Sequence, residues 1–306
     1  MAAATATLGP SCCCSLGAKP WTIIPRRPLR TEETGMLQKE MQVEDCSSLA
    51  AKVLAGNPSR YALFLDVDGT LLDIAAAPTE VVIPPQLPPL LARISKGLDG
   101  ALAILTGRQL AEIDALLAPL SLIGSGVHGA ELRTAAGEPV LRVAMSLPGS
   151  LVHQALELAN GMPGIIAEPK GPGLALHYRL APELKAVLEA RLTLLLARYA
   201  DELVLCPGRK LFEIIPAGHS KGTALETLSK LPTFAGRLPI MIGDDVGDVP
   251  ALAAAQRLGG FGLRVAGEQF AASAADLHGP AGVLNWLDRL AARLEASPDG
   301  FDHRNR

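Results

Sequence analysis

The sequence is poor in aromatic residues, in net charge and in long apolar runs. Aromatic residues make up only 4% of the chain, which argues against the stacking platforms that hold nucleobases. The 28 Lys and Arg residues nearly balance the 31 Asp and Glu residues, for a formal net charge of −3. No basic field is therefore available for nucleic acid or an anionic membrane. No apolar run approaches the roughly 20 residues of a membrane-spanning helix. We expect a protein that binds neither nucleic acid nor membrane.

Cysteines are few, and their spacing fits neither a disulfide framework nor a metal site. Three of the five are adjacent at 12–14, and the other two are Cys46 and Cys206. Disulfide-stapled domains and zinc sites use paired or regularly spaced cysteines instead. The pattern is typical of reduced thiols, and we expect a cytoplasmic protein.

The two ends of the chain differ from its middle. Residues 1–35 are rich in Ala, Ser, Cys and Pro, and no acidic residue precedes Glu32. Targeting peptides share this composition, but the apolar core and cleavage site of a secretory signal are missing. We expect residues 1–45 to be a disordered N-terminal extension, or the protein to begin at Met36 or Met41. Residues 293–306 are expected to form a flexible tail.

Between these ends, short apolar runs alternate with amphipathic segments. Continuous apolar strands separated by helices are typical of a parallel sheet covered on both faces. We therefore predict an α/β fold with a Rossmann-like parallel-sheet core over residues 58–134 and 210–292. The predicted core strands are 62–67, 101–105, 122–125, 212–215 and 239–242, with helical patterns at 89–98 and 109–117.

The middle section follows a different pattern, which predicts a separate α+β module over residues 135–209. It interrupts the core, which is expected to resume near Lys210. Its predicted strands are 139–144, 164–168 and 174–179, and its predicted helices are 150–159 and 182–199.

Four polar clusters lie where predicted strands end or predicted helices begin. Ligands of an open α/β sheet bind beyond the carboxyl ends of the strands, so we expect the clusters to meet at one site. They are DVDGT at Asp66–Thr70, TGR at Thr106–Arg108, SKG at Ser220–Gly222 and GDDVGD at Gly243–Asp248.

The acidic residues of these clusters form a candidate metal site. Asp66 and Asp68 lie two residues apart in an extended segment and so face the same side, while Asp244, Asp245 and Asp248 follow another strand. Acids gathered in this way stay ionised beside a cation, and oxygen ligands with room for water suit Mg²⁺. A solvated turn or an acidic helix N-terminus would explain one or two of them, but not all five.

Thr106 and Lys221 are candidate phosphate ligands. Thr106 opens a helix, where its hydroxyl and the free backbone amides can bind phosphate. Lys221 opens another helix, where the helix dipole disfavours a cation. This lysine therefore needs an anionic partner, which Asp66 and a bound phosphoryl group would provide.

In this order, the four clusters resemble the motifs of the haloacid dehalogenase-like superfamily of phosphatases, over about residues 60–290. The resemblance implies a hydrolase core with an inserted α+β cap that sets specificity. A closer similarity, in order and spacing, is to the bacterial trehalose-6-phosphate phosphatase family. It implies a Mg²⁺-dependent enzyme of trehalose biosynthesis that hydrolyses trehalose 6-phosphate to trehalose and phosphate. It rests on DVDGTL, ILTGR, GVHGAEL, EPKGPGLALHYR, FEIIPAGHSKG and PIMIGDD.

The resemblance also implies catalytic roles for the matching residues. Asp66 would be the nucleophile that forms an aspartyl-phosphate. Asp68 would protonate the departing sugar oxygen and then activate water, the two opposite steps of one acid/base group. Thr106 and Lys221 would bind the phosphoryl oxygens.

The implied metal ligands come from the same clusters. Mg²⁺ would be held by Asp66, by the main-chain carbonyl of Asp68 and by Asp244. Asp245 or Asp248 would hold water ligands or orient the lysine. The usual motif of the family has Thr and Glu where this chain has Gly247 and Val249, so one acceptor around the metal is missing here.

Recognition of the sugar is implied for the inserted module. Glu168 and Lys170 match residues that hydrogen-bond trehalose hydroxyls in the family, and Glu213 matches a third. Arg108 joins them as a substrate-binding candidate. His128 is expected to be structural, with its ring bonded to nearby backbone at the junction of core and cap.

Two other interpretations remain open at this point. In one, the chain is a phosphatase of the same superfamily that acts on another sugar phosphate. In the other, it is a non-catalytic sugar-phosphate sensor. The second is suggested only by Gly247 and Val249. The resemblance further implies a functional link to a trehalose-phosphate synthase.

Overall fold

The structure is a computed structural model that describes residues 48–74 and 81–296. The predicted N-terminal extension lies outside the described residues. Residues 293–296, predicted to begin a flexible tail, instead form the last turn of a helix. Within the described ranges, no helix combines the length and the apolar character needed to cross a bilayer.

Eleven strands and eight α-helices make up the described part of the chain. The strands are β1 Tyr61–Leu65, β2 Leu102–Leu105, β3 Ile123–Gly126, β4 Glu131–Arg133, β5 Leu141–Arg142, β6 Ile166–Lys170, β7 Gly173–His177, β8 Leu203–Gly208, β9 Leu211–Pro216, β10 Leu238–Gly243 and β11 Phe261–Arg264. The helices are α1 Leu49–Ala55, α2 Leu87–Gly97, α3 Leu110–Leu117, α4 Gly149–Asn160, α5 Lys185–Leu196, α6 Lys221–Leu228, α7 Val249–Arg257 and α8 Gly279–Ala296.

Seven strands form the main sheet, in the order β11-β10-β1-β2-β3-β4-β5. The first five are parallel, and β4 and β5 extend the sheet antiparallel. The central strand β1 has every residue buried, because it pairs on both edges and carries helices on both faces. The α/β prediction with a Rossmann-like parallel core is confirmed.

Four strands form a second, antiparallel sheet, in the order β6-β7-β9-β8. One face of this sheet packs on α4 and α5. Buried Leu174, Leu176, Phe212 and Ile214 come from the strands, and helix α5 adds Leu188. Apolar residues recur at every second strand position, so the alternate positions project from the opposite face.

Two of the predicted strands belong to a different sheet from the one in which they were predicted. Residues 212–215 were predicted as a core strand, but β9 pairs with β7 and β8 in the second sheet. Residues 139–144 were predicted in the inserted module, but β5 pairs with β4 in the main sheet. Both errors share one cause: an apolar run predicts a strand but not its partner. The division into core and inserted cap stays a prediction, and sheet membership would end the cap at Pro216.

Candidate active site

The DVDGT cluster begins where β1 ends. The Asp66 amide donates to Ile242 O of the neighbouring strand at 3.0 Å, which continues the parallel ladder up to the first acid. Gly69 then turns the chain with φ +88°. A Cβ at Gly69 would lie 2.1 Å from Asp244 Oδ2, so only glycine lets this turn pass the carboxylate.

Three buried acids converge at this edge of the main sheet. Carboxylate oxygens of Asp66, Asp244 and Asp248 all lie within 4.8 Å of one another. Burial and the charge of Asp248 raise the pKa of Asp66 well above its ordinary value, although Lys221 opposes this. Burial, together with Asp248, likewise raises the pKa of Asp244 to about 7. The cluster carries more negative charge than its neighbours neutralise, so its donor set fits a hard divalent cation.

Lys221 is the cation inside this cluster. Its Nζ lies 2.6 Å from Asp66 Oδ1 and 2.6 Å from Asp248 Oδ1. Although burial lowers the pKa of Lys221, the two carboxylates outweigh it and raise the pKa above its ordinary value. The lysine opens α6, whose N-terminus is capped by Ser220 Oγ, an acceptor for the Thr223 amide. The sequence SKG therefore sets both the helix start and the position of the ammonium group.

Asp248 has both carboxylate oxygens engaged. One oxygen pairs with the lysine, and Oδ2 accepts from the Asp244 and Asp245 amides at 3.1 and 3.0 Å. The carboxylate thus ties the turn after β10 to the start of α6. Two roles were expected for Asp248, holding water ligands or orienting the lysine. This geometry suits the second, the orientation of Lys221.

Asp68 lies apart from the three converging acids. Arg108 donates to both of its oxygens, from Nε and Nη2, each at 2.7 Å. The Asp68 side chain is 37% exposed, whereas Arg108 is 11% exposed. Two residues predicted for different tasks, an acid/base and a sugar ligand, therefore form one bidentate pair.

Thr106 follows β2 and is completely buried. Its Oγ1 accepts a hydrogen bond from the Arg108 amide at 3.1 Å. The hydroxyl proton is not used by this bond and remains available to an acceptor. The two residues that follow Thr106, Gly107 and Arg108, line the cavity described next.

A cavity of about 700 Å³ separates the acidic cluster from the second sheet. This volume lies within the range of small-molecule sites. Its walls bring together Asp66, Asp244, Lys221 and Arg108, which follow strands of the main sheet or open α6, with predicted sugar-binding residues from the second sheet. The polar side chains of the second sheet that line it include Glu168, Lys170, His177 and Glu213.

Strand alternation places these side chains on the cavity face of the second sheet. The register aligns Glu168 with Ala175, and Ala175 with Glu213, across three strands. Lys170 lies two residues beyond Glu168 and so faces the same way. The alternate positions bury apolar side chains against α4 and α5.

On the cavity face, acidic and basic side chains alternate in a chain of close contacts. Lys170 Nζ lies 3.1 Å from Glu213 Oε1 and 3.8 Å from Glu168 Oε2, and His177 Nε2 lies 2.8 Å from Glu168 Oε2. The hydrogen bond from His177 lowers the pKa of Glu168. Burial alone would raise the pKa of Glu213, but His128 and Lys170 hold it well below its ordinary range. Both acids are therefore hydrogen-bond acceptors at neutral pH.

His128 does not have the partner expected from the sequence. The prediction gave its ring a backbone partner, but Nε2 bonds Glu213 Oε2. The separation of 85 positions between the two residues explains why no local pattern indicated the pair.

Arg209 was missed by sequence reasoning. It lies in the turn between β8 and β9, with Nη1 3.8 Å from Asp244 Oδ2 and Nε 3.5 Å from Glu268 Oε1. The sequence analysis predicted no strand at the position of β8, so it indicated neither this hairpin turn nor its approach to the acidic cluster of the main sheet.

The chain is similar to trehalose-phosphate phosphatases over most of its length. The family model described as trehalose-phosphatase matches residues 64–266. A probable trehalose-phosphate phosphatase of Sinorhizobium fredii is 40% identical over 225 residues, which are 69% of this chain and 80% of the relative. The trehalose-6-phosphate phosphatase of Escherichia coli is 33% identical over 238 residues, 78% of this chain and 89% of the relative.

Solved structures support the fold. The C-terminal domain of Candida albicans trehalose-6-phosphate phosphatase superposes with a TM-score of 0.69 at 20% identity, covering 80% of this chain and 98% of that one. A haloacid dehalogenase-like hydrolase of Bacillus subtilis superposes with a TM-score of 0.54 at 15% identity, covering 74% and 98%. The fold is therefore that of the haloacid dehalogenase-like superfamily, and the resemblance inferred from the motifs is confirmed. The chain belongs to the trehalose-phosphatase family.

Proposed function

We propose that this protein hydrolyses trehalose 6-phosphate to trehalose and phosphate. The observation that carries the proposal is the shared cavity, which has Asp66 and Lys221 on one wall and Glu168, Lys170 and Glu213 on the other. One wall suits a phosphoryl group and the other suits a sugar rich in hydroxyls. The names of the relatives that are 33–40% identical point to the same substrate.

In the proposed reaction, Asp66 attacks phosphorus and the bond from phosphorus to the sugar oxygen breaks. Asp68 protonates the departing oxygen, then takes a proton from the water that attacks the aspartyl-phosphate. Phosphate is released and Asp66 is regenerated. The two hydrogen bonds that Arg108 donates orient the Asp68 carboxyl group. In the proposed reaction, this bidentate pairing breaks when Asp68 carries the proton. Splitting the hydrolysis into two displacements lowers each barrier.

The phosphoryl group would be held by Lys221 and by the Thr106 hydroxyl. Lys221 stays protonated beside Asp66, so its charge is in place as negative charge develops on the phosphoryl oxygens. Thr106 has a hydroxyl proton to donate. Both groups are buried, which strengthens their electrostatic effect relative to water.

A Mg²⁺ ion would be held by Asp66, by Asp244 and by the main-chain carbonyl of Asp68. When bound, it supplies positive charge that neutralises the acids and the phosphoryl oxygens. Asp248 contributes by fixing Lys221, since it is bonded to this ammonium and to two backbone amides.

Glu168, Lys170 and Glu213 would bind the sugar hydroxyls, the two acids as acceptors and the lysine as a donor. A phosphate ester without matching hydroxyls leaves these groups unpaired, which is costly in a closed site. We further propose that the protein is cytoplasmic and acts on the product of a trehalose-phosphate synthase, because that reaction supplies this substrate.

Phosphate release from a panel of sugar phosphates tests the proposal. With Mg²⁺, we expect trehalose 6-phosphate to be hydrolysed with a kcat/KM at least about 100-fold above glucose 6-phosphate, and a chelator to stop the reaction. Equal rates on monosaccharide and disaccharide phosphates would contradict the assigned substrate, and full activity in chelator would contradict the metal requirement.

A further inference from the structure

We propose that His128 is a positioning residue for sugar recognition: from the main sheet, it holds Glu213 of the second sheet in the geometry that receives the sugar. The inference rests on the proposed function, because it assigns a task to one more residue of the same cavity. His128 touches no reacting atom in this role. It acts through Glu213.

The backbone that carries His128 adopts an unfavourable conformation. After β3, Val127, His128 and Gly129 have φ values of +45°, +51° and +105°. Positive φ is uncommon for any residue with a side chain, and for β-branched valine it is an outlier. Such strain persists only where surrounding structure enforces it, and it concentrates at functional sites.

Hydrogen bonds to the loop after β2 enforce the strained turn. The Val127 amide donates to Arg108 O at 3.0 Å, and the His128 amide donates to Thr106 O at 3.2 Å. The turn is thereby fixed to the loop that carries two proposed phosphate- and substrate-binding residues. Because His128 bonds Glu213, this acid keeps a fixed position relative to the loop that carries Thr106 and Arg108.

The imidazole ring occupies space that Gly107 leaves open, and it borders Gly247. A Cβ at Gly107 would lie 2.7 Å from His128 Nε2, and a Cβ at Gly247 would lie 3.4 Å from Cε1. The ring therefore lies between the loop after β2 and the turn after β10. Gly247 stands where the family usually has Thr, and in this chain that position borders the ring.

Glu213 is held from both sides. Its Oε2 bonds His128, and its Oε1 lies 3.1 Å from Lys170 Nζ. Lys170 belongs to the same sheet as the acid, whereas His128 comes from the main sheet. Lys170 Nζ also lies 3.5 Å from Gly107 O. Loss of the His128 bond would leave the buried Glu213 carboxylate paired with Lys170 alone. Both of these proposed sugar-binding side chains would then shift.

A matched pair of variants isolates the hydrogen bond. In His128→Gln the amide nitrogen can reach the position of Nε2, whereas His128→Met has similar length but no donor. Both replacements impose the same backbone strain, so a difference between them reports the bond to Glu213. His153→Ala serves as the control, because His153 pairs with Glu157 on the exposed surface of α4 at 3.3 Å.

The experiment compares trehalose 6-phosphate with p-nitrophenyl phosphate, which needs no sugar contacts. For His128→Met we expect KM for trehalose 6-phosphate to rise about tenfold or more. The ratio of kcat/KM between the two substrates should fall by a similar factor. His128→Gln should recover most of this ratio, and His153→Ala should leave it at the wild-type value. Thermal unfolding of each variant confirms that it is folded.

Three results would overturn the inference: an unchanged KM in His128→Met, an equal loss on both substrates, or a Gln variant no better than the Met variant. A wild-type protein that prefers another sugar phosphate would contradict the proposed function alone. The Met and Gln variants would then be compared on that sugar phosphate. If no sugar phosphate is preferred over p-nitrophenyl phosphate, both proposals fail.

Discussion

At the scale of single residues, the surroundings of Asp66 and Asp68 separate two carboxylates that lie two positions apart. Asp66 is buried against Lys221 and two further acids, whereas Asp68 is partly exposed and forks with Arg108. A buried acid held by a lysine is suited to attack phosphorus, and an acid open to the cavity is suited to exchange protons with sugar and water. Asp66 and Asp68 carry the same functional group, and their different surroundings support two different proposed roles.

The first prediction concerns Asp66, the proposed nucleophile. Asp66→Asn should reduce phosphate release by at least about 10⁴-fold, because an amide cannot form the acyl-phosphate. Binding of trehalose 6-phosphate, measured by calorimetry, should persist. Asp288→Asn, at an exposed position of α8 paired with Arg93, is the control and should keep wild-type activity. If Asp66→Asn kept a tenth of wild-type activity, Asp66 could not be the nucleophile.

The second prediction concerns pH and Glu213. The pKa of this acid is lowered in the folded state, so the unfolded state binds its proton first as the pH falls. Its contribution to stability is therefore present above about pH 4.5 and is lost as the pH falls towards the folded pKa.

Denaturant unfolding between pH 6 and pH 3 checks this. Wild type should lose about 1–3 kcal/mol more than Glu213→Gln over this range. The raised pKa values of Asp66 and Asp244 act in both proteins and cancel in the comparison. Glu183→Gln, at an exposed position, should behave like wild type. Parallel pH profiles for wild type and Glu213→Gln would show that Glu213 does not gain stability from its partners.

At the scale of secondary-structure elements, the turns after the parallel strands decide what the site can hold. The turn after β1 brings Gly69 against Asp244, the turn after β10 holds Asp248 to Lys221, and the β8–β9 hairpin brings Arg209 towards the same acids. The turns after β1 and β10 each carry three polar side chains, and the hairpin turn carries Arg209 and Lys210. The rigid strands fix the positions of these turns, and the turns carry the side chains of the candidate active site.

The third prediction therefore concerns a turn. Gly69→Ala should abolish activity, because the new Cβ would lie 2.1 Å from Asp244 Oδ2 and displace that carboxylate. Gly137→Ala is a matched control: Gly137 also has positive φ, at +76°, but nothing lies within 4 Å of its Cβ position. Both variants should lose about 1 kcal/mol of stability to backbone strain. Only Gly69→Ala should lose phosphate release, and equal activities would show that the close approach to Asp244 is unimportant.

At the scale of the whole molecule, the two sheets each contribute half of the cavity. The main sheet carries the acidic cluster, and the second sheet carries Glu168, Lys170 and Glu213 on the face opposite its helices. Charges of opposite sign meet on both walls, where Lys221 pairs with Asp66 and Asp248, and Lys170 pairs with Glu213. A divalent ion would join Asp66, after β1, to Asp244, after β10, so we expect metal binding to stabilise the fold.

The fourth prediction follows from this linkage. At pH 7.5, Mg²⁺ should raise the unfolding temperature relative to chelator, because it binds the folded acids and relieves their repulsion. At a hundred times its dissociation constant, the gain is about 2.7 kcal/mol. Asp244→Asn should lose this response, whereas Asp288→Asn, at the exposed position paired with Arg93, should retain it. An unfolding temperature that does not respond to Mg²⁺ in wild type would contradict a metal site at these acids.

The local pattern of the sequence was enough to predict the parallel core and the site of its polar clusters. Apolar runs such as Tyr61–Leu65 need burial on both faces, and the residues that follow parallel strands meet at one edge. The bidentate pair of Asp68 and Arg108 and the convergence of Asp248 on Lys221 depend on side-chain directions, which no spacing in the sequence specifies.

The sequence by itself determined eight of the eleven described strands and most of the residues that carry chemistry, because strand periodicity and residue type are local properties. It did not indicate β4, β8 or β11. Only the tertiary structure decided that β9 joins the second sheet, that His128 meets Glu213 and that Arg209 approaches Asp244. These contacts join residues far apart in the chain. Their free energy comes from packing and charge pairing across elements, which a local pattern does not contain.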